Sequence, residues 1–382
     1  MVKRNSLRDN KKVFLIHFQP IELFPPALNL IEFFGNVNNI NLYVSTNKKL
    51  SQNNLKDYVN KKVKIYRPSS FSKSKILQYV NYAFYYFSTL FLLLWHKPDV
   101  VLYVETLSAW PALFYRKLMG NKFKLMVHYH EYTDPESYEK GMWLSRNFHS
   151  LEKKMYKDFF WISQTNENRL EFFIIDNRLQ NFSQVHFDTL PNYPSITWQK
   201  KVSNDFLERK KMVFIGSLGY KNMYLKELVD FVNKNSLFFS VDFYSYNIDS
   251  EAKEFLLKSE NENIRFIGGI DYSLLPEILP QYHIGLVLYK PFSINTIHAV
   301  SNKVFEYLAC GLDVWYSSDM VYTDKYITEN SFPKVLKVEF KNLENFNWKV
   351  AINREGLTYN PPNFYYESLY PKLLDKIMED HA

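Results

Sequence analysis

The chain has 382 residues, 46% of them hydrophobic and 23% charged, which excludes wholesale disorder and leaves room for two domains of about 100–200 residues each. Its single cysteine, Cys310, excludes a disulfide framework and a Cys-rich zinc site, and only ten glycines leave little material for Gly-rich phosphate loops. The net charge of +7 is uneven: residues 1–130 hold 19 Lys/Arg against 6 Asp/Glu, whereas the other 252 hold 28 against 34, so the first third suits an anionic partner such as nucleic acid, an anionic membrane face or a pyrophosphate-bearing acceptor, or serves solubility alone.

Val13–Phe18 predicts a buried strand. The basic stretch Met1–Lys12 precedes it, but this apolar run is too short for a secretory core and meets Gln19-Pro20, so a cytoplasmic chain is expected. Further strands are expected at Ile40–Ser45, Val63–Tyr66, Val100–Val104, Lys124–His128 and Phe159–Ser163, with a helix over Trp110–Met119. Near-continuous apolar strands alternating with helices predict a parallel sheet covered on both faces.

Ile76–Trp95 is 20 residues without a formal charge, the length of a membrane span. Gln78, Asn81, Tyr85 and Ser88 form a weakly polar stripe along it, and Lys97-Pro98-Asp99 leads straight into a strand. A domain helix is therefore expected first, a helix lying in the membrane interface second, and a span last. Lys61, Lys62, Lys64, Arg67, Lys73 and Lys75 stand just before it, a charge pattern suited to anionic lipid.

Leu190-Pro191-Asn192-Tyr193-Pro194 breaks regular structure and marks a linker. Beyond it the strand–helix alternation restarts, with strands expected at Met212–Gly216, Ser240–Tyr244, Ile264–Ile267, Ile284–Tyr289 and Val314–Ser317. Tyr365–Met378 has a helical apolar face, with Pro371 kinking or starting the helix. The expected organisation is α/β: two doubly wound domains, 1–191 and 192–363, and a C-terminal helix, 364–382, packing back across the junction.

In open α/β sheets ligands bind beyond the carboxyl ends of the strands, so the residues following each strand are the candidates. The strongest segment is Ser301-Asn302-Lys303-Val304-Phe305-Glu306-Tyr307-Leu308-Ala309-Cys310-Gly311. A helix starting at Ser301–Lys303 offers backbone N–H groups to an anion. Lys303 and Glu306 share a face, so Lys303 can reach a phosphate while Glu306 accepts two hydrogen bonds from a ribose diol; a surface i,i+3 ion pair is the competing reading. Among the other strand ends, Glu105 stands either on the acceptor side or as a surface carboxylate, Tyr246 is placed to stack on a base, and Cys310 reads as a packed small hydrophobe.

The segment Asn-Lys-x-x-Glu-Tyr-Leu-Ala-x-Gly resembles the nucleotide-sugar-binding segment of GT-B-fold glycosyltransferases, close to the retaining family-4 type. Lys97-Pro98-Asp99-Val100-Val101 with Leu107–Ala112, Val127-His128-Tyr129-His130-Glu131, Phe214-Ile215-Gly216-Ser217-Leu218 with Lys221-Asn222, and Phe266-Ile267-Gly268-Gly269 extend the resemblance in order from Val13 to Asp313. It implies two Rossmann-like domains facing across a cleft, the first for the acceptor and the second for the donor. It also implies transfer of a sugar from a nucleotide diphosphate sugar to an acceptor hydroxyl, with retention and without a metal or other cofactor. Under it His130 and Glu131 are catalytic: His130 contacts the sugar, and Glu131 orients an acceptor hydroxyl or serves as base if the enzyme inverts. Gly216, Ser217, Lys221, Tyr246, His298, Ser301, Asn302, Lys303 and Glu306 bind the donor, and Glu105 lies on the acceptor side.

The sequence departs from that pattern at four places. His298 stands where the family has the first of two glutamates seven residues apart, Ser217 replaces a basic residue and leaves Lys221 as the nearest diphosphate partner, Gln19–Glu22 lacks glycines, and Asp313 replaces proline. No Asp-x-Asp pair is present, and His130–Asp134 is a near miss to a zinc motif with no second histidine. The expected setting is synthesis of a bacterial surface polysaccharide or glycolipid on a saccharide or lipid-linked acceptor, in the cytoplasm or peripherally on the inner membrane face. The alternative is a catalytically degenerate GT-B protein serving as partner subunit or membrane scaffold. Nucleic acid is not an expected partner, because no nucleic-acid-binding motif accompanies the basic domain.

Overall fold

The structure is a computed structural model that describes residues 10–48, 62–72, 74–200 and 209–379. Most of Met1–Lys12, together with Lys61 and Lys73 of the basic run, lies outside the described residues, as does the side chain of Lys75. The chain divides into two compact units, one formed by Met1–Asn192 with Glu367–Ala382 and the other by Tyr193–Tyr366.

The first unit is built on β1 (Lys11–His17), β2 (Ile40–Thr46), β3 (Val63–Tyr66), β4 (Val100–Val104), β5 (Lys124–Tyr129), β6 (Trp161–Gln164) and β7 (His186–Thr189). These pair in the order β3-β2-β1-β4-β5-β6-β7, parallel throughout. Val13–Ile16 and Val100–Val104 are buried along their whole length, as expected of strands covered on both faces. β7, which reads His-Phe-Asp-Thr, is a polar edge strand that apolar patterning does not reveal.

The second unit holds β8 (Lys210–Ile215), β9 (Phe239–Tyr244), β10 (Ile264–Gly268), β11 (Ile284–Val287), β12 (Asp313–Ser317), a short β13 (Ser331–Phe332), β14 (Val335–Val338) and β15 (Thr358–Tyr359). The main sheet runs β10-β9-β8-β11-β12-β14, again parallel. β13 and β15 make a separate pair. Both large sheets thus reverse strand order once, between β1 and β4 and between β8 and β11, and each reversal opens a crevice at the carboxyl ends of the strands. Two doubly wound α/β sheets are what the alternating pattern led us to expect.

Two residues tie the second sheet to the helix Asn302–Ala309. Tyr307 is fully buried, and its ring lies so close to Gly285 on β11 that a Cβ there would meet it at 2.1 Å. Its hydroxyl accepts a hydrogen bond from the Ile215 amide at 3.1 Å, which fixes the helix against the end of β8. Asp313 has a structural part: it accepts from Arg354 Nη2 at 2.9 Å and from the Lys334 amide at 2.7 Å. Cys310 packs in the same core, its thiol pushed up to about 12 by burial.

The last helix, Tyr366–Met378, runs through Pro371 rather than starting there. From Glu367 onward it belongs to the first unit: Lys124 Nζ donates to Lys376 O and Glu379 O, both at 2.6 Å, and Phe33 packs edge-on against Tyr370. The helix Lys75–His96 packs one face into the first unit, where Tyr85 and Leu93 are fully buried, and no helix among the described residues is long and apolar enough to cross a membrane.

Candidate functional site

In the first unit the strand ends on either side of the order reversal bring together His17, Glu105 and His130. Glu105 follows β4 with φ +63° and ψ +151°, a backbone state costing about 1–3 kcal/mol for a residue with a side chain. Its carboxylate explains how that state is held. Glu105 Oε1 accepts the His130 amide at 2.6 Å and the Glu131 amide at 3.1 Å, so one oxygen fixes the chain as it leaves β5. The side chain keeps some exposed surface, yet loss of water around it pushes its carboxyl up to about 8. The Glu131 charge adds to this, and the two amide bonds act against it.

His130 is 8% exposed, and both ring nitrogens are buried without a well-formed hydrogen bond, the Asn192 side chain standing beside the ring. Burial holds its pKa well below the usual histidine range, and the nearby His128 and His17 rings lower it further, while Asn192 beside it favours the charged form. The ring centroids lie 4.7 Å from His128 and 6.3 Å from His17. His128 is anchored, its Nδ1 lying 2.7 Å from Ser163 Oγ, and burial lowers its pKa to about 3. His17 Nδ1 sits 2.8 Å from Gln19 O, which leaves its buried Nε2 unpartnered, and burial lowers it to about 4. Glu131 is exposed, so the two adjacent residues point apart.

Arg169 completes this cluster. It is buried on the helix Glu167–Asp176, donating from Nη1 to His130 O at 3.1 Å and to Thr165 Oγ1 at 2.7 Å. Sequence reasoning did not single out His17 or Arg169. The usable signals were a histidine ending the first strand, and an arginine one turn into a helix capped by Asn166, whose side chain accepts the Arg169 amide.

A pH dependence follows. Folding lowers the pKa of His17, His128 and His130, so each favours the folded state fully above the unfolded histidine value of about 6.5 and loses that contribution as pH falls toward its folded value. Each ring contributes up to about 1.4 kcal/mol per pH unit in that window. Glu105 acts in the opposite sense, because its raised pKa favours the folded state at low pH and loses that contribution as pH rises from about 4.5 toward 8. Urea unfolding midpoints are expected to fall between pH 7 and pH 5, and to fall more steeply in Glu105→Gln, which keeps an oxygen for both amides. A flat profile would contradict the burial of these rings.

In the second unit, Gly216 turns the chain after β8 with φ +145°, a region that favours glycine. Ser217 is exposed and its Oγ accepts from Asn247 Nδ2 at 3.3 Å. Ser301 caps the helix Asn302–Ala309, its Oγ accepting the Lys303 amide at 3.4 Å. Lys303 Nζ lies 2.6 Å from Glu306 Oε2, with side chains 19% and 2% exposed. The pair is therefore a largely enclosed one and not a surface contact. Lys303 Nζ also lies 5.9 Å above the Tyr272 ring, and the neighbouring Asp271 accepts from the Tyr246 hydroxyl at 3.0 Å. Tyr246 is 71% exposed with its ring lying over Gly269, so one ring face is backed by the protein.

The structure thus brings Ser301, Lys303 and Glu306 onto one helix end, with Tyr246 reached through Asp271 and Tyr272. Lys221 is exposed and pairs loosely with Glu251, Nζ to Oε2 3.9 Å. His298 closes the short helix Ile294–Ile297 and is half-buried.

No family model matches the sequence, and no curated protein matches it. Solved structures do. Sucrose-phosphate synthase from Thermosynechococcus elongatus is similar at 13% identity and TM-score 0.64, over 96% of this chain and 99% of that one. HepE from Anabaena, in complex with UDP and glucose, is similar at 9% identity and TM-score 0.64, over 96% and 99%. UDP-GlcNAc 2-epimerase from Neisseria meningitidis, bound to UDP-GlcNAc, is similar at 13% identity and TM-score 0.58, over 95% and 100%. At these identities the likeness is one of fold. The chain has the GT-B fold, two Rossmann-like α/β domains in succession.

Proposed function

We propose that this protein is a glycosyltransferase that moves a sugar from a nucleotide diphosphate sugar to an acceptor hydroxyl. The observation that carries the reading is the enclosed Lys303–Glu306 pair at the start of a capped helix that follows β11. A buried carboxylate is an acceptor only, which suits the two hydroxyls of a ribose. A lysine held beside it suits the adjoining diphosphate, and the helix start adds the positive end of its dipole. The similar solved structures support a nucleotide-sugar ligand, since two of those described above hold UDP with glucose or UDP-GlcNAc.

In this reading the second unit binds the donor. Glu306 accepts the ribose hydroxyls, Lys303 and the helix start at Ser301–Asn302 meet the diphosphate, and Tyr246 stacks on the base. Lys221 moves from Glu251 to the same phosphates, which costs little because that pair is exposed. Charge developing on the leaving diphosphate is then met by fixed cations and dipoles. His130 contacts the transferred sugar as a neutral ring, and Glu131 meets the acceptor. We further propose retention of configuration in the manner of family 4, no requirement for a divalent ion, and a saccharide or lipid-linked saccharide acceptor in surface polysaccharide or glycolipid synthesis. The setting proposed is the cytoplasm, with contact at the inner membrane face.

A panel of nucleotide sugars screened for thermal stabilisation tests the reading, because a ligand that binds only the folded state raises the melting temperature by mass action. At about a hundred times Kd the expected gain is about 2.7 kcal/mol. Stabilisation by one donor class, with the sugar appearing on an added acceptor, is the expected result. No shift with any donor would remove the proposal. A shift without turnover would favour the scaffold alternative, and inversion at C2 of the sugar with no transfer would favour an epimerase.

A further inference from the structure

The helix Lys75–His96 carries its amphipathic pattern inverted. Its polar stripe faces the protein: Gln78 Oε1 accepts the Ser72 amide, Asn81 Nδ2 donates to Ser70 O at 2.8 Å, and Tyr85 OH donates to Ser45 O at 3.1 Å. Its opposite face is apolar and open to solvent, with Ile76 81%, Val80 57%, Phe84 59%, Phe87 64%, Phe91 62% and Trp95 72% exposed. At 3.6 residues per turn these six positions fall within an arc of roughly 100° along a helix about 33 Å long. The surface continues onto the next helix, Ala109–Met119. Phe87 packs edge-on against Trp110 at 5.4 Å, Trp110 stacks on Phe114, and Phe114 and Leu118 are exposed.

Charge around this surface is mostly positive, with Asp99 just after the helix and Glu22 on Arg67 as the nearby carboxylates. Residues 58–98 and 106–130 contain no Asp or Glu. Lys64, Lys97, Lys117 and Lys122 are exposed. Burial lowers the pKa of His96 at the helix end, and the nearby Lys64 and Lys12 lower it further. Arg67 lines a groove of about 550 Å³ with Phe84, Phe87 and Phe91, its guanidinium already tied to Glu22.

We propose that this face docks on an anionic lipid bilayer, the helix Lys75–His96 lying in the plane of the headgroup–acyl boundary. Its aromatic and aliphatic side chains enter the acyl edge, and the lysines at its borders meet lipid phosphates. An apolar surface of this extent on a soluble fold marks an interaction site. A second copy of the chain fits less well, because a two-fold pairing of the same face would set the lysine rim against itself. The inference rests on the reading above only for its purpose, bringing the first unit to a lipid-linked acceptor. Its test uses no turnover, so the two can fail separately.

The full chain is mixed with phosphatidylcholine vesicles with and without about 30 mol% phosphatidylglycerol and sedimented. It is expected to pellet with the anionic vesicles and to remain largely in solution with the neutral ones. The triple variant Phe84→Ser/Phe87→Ser/Phe91→Ser, at exposed positions outside the core, is expected to reduce partitioning by more than about tenfold with an unchanged circular dichroism spectrum. Lys64→Glu/Lys97→Glu is expected to remove the preference for phosphatidylglycerol. Wild-type protein left in the supernatant would overturn the proposal, as would partitioning unaffected by both variants. So would a concentration-dependent dimer that the triple variant breaks while vesicles go unbound, which would assign the face to self-association.

Discussion

Replacing His130 by alanine is expected to slow sugar transfer about a hundredfold while leaving donor affinity within about threefold, because the loss falls on alignment of the reacting centre. The reason lies in what the ring lacks. It is buried beside His17 and His128, kept neutral by burial and by those neighbours, and neither nitrogen makes a well-formed hydrogen bond within the protein. A neutral imidazole carries one donor and one acceptor, and leaving such groups buried and unsatisfied costs about 1–3 kcal/mol. A sugar hydroxyl, which both donates and accepts, can pair with one of the two nitrogens. The backbone is braced for this, since Glu105 grips the His130 amide and Arg169 the His130 carbonyl. Transfer rates and calorimetric donor affinity measured together decide the matter. Equal losses in both would make His130 a binding or packing residue.

Glu306→Ala is expected to weaken nucleotide binding by about 1–3 kcal/mol, or about 5- to 150-fold, if hydrogen bonds to a ribose are lost. The variant also leaves Lys303 without its carboxylate. Breaking a fully buried pair costs about 3–5 kcal/mol, but Lys303 is 19% exposed and its flexible stem can carry the ammonium to water, so the stability loss should fall below that range. Glu306→Gln keeps one acceptor oxygen and is expected to recover part of the affinity. Unchanged affinity in the alanine variant, read by calorimetry, would take Glu306 out of the donor site.

The two predictions differ in how far the sequence could have carried them. Lys303 and Glu306 are three residues apart on one helix, so their meeting is a local matter and spacing alone foresees it. The environment of His130 is not local. Its neighbours His17, Glu105 and Arg169 come from positions up to 113 residues away, at the end of β1, just after β4 and on the helix after β6, and only the order of the sheet makes them adjacent. Glu105 read equally well as a surface carboxylate, because nothing in the sequence signals that its side chain would close on two amides of the neighbouring strand end.

The helix Lys75–His96 shows the same division in a sharper form. Its stripe of Gln78, Asn81, Tyr85 and Ser88 was legible, but which face of the helix met the sheet was not. A polar stripe ordinarily faces water; here Asn81 and Tyr85 turn inward and donate to the backbone carbonyls of Ser70 and Ser45. β7 and β14 escaped notice for a related reason. They are short edge strands with Asp188 and Lys337 in their runs, and an edge strand is recruited by the neighbour it pairs with rather than by its own apolar content.

What the sequence by itself determined is the succession of apolar strands and helices, because continuous burial of a parallel strand demands an apolar run and a crossover helix demands its own period. It also determined the capped helix bearing Lys303 and Glu306. What only the tertiary structure decided is which strand ends lie side by side, which nitrogens are left unpartnered, and which helix face is open. These depend on pairings between residues distant along the chain, and a sequence records the residues without recording the register that brings them together.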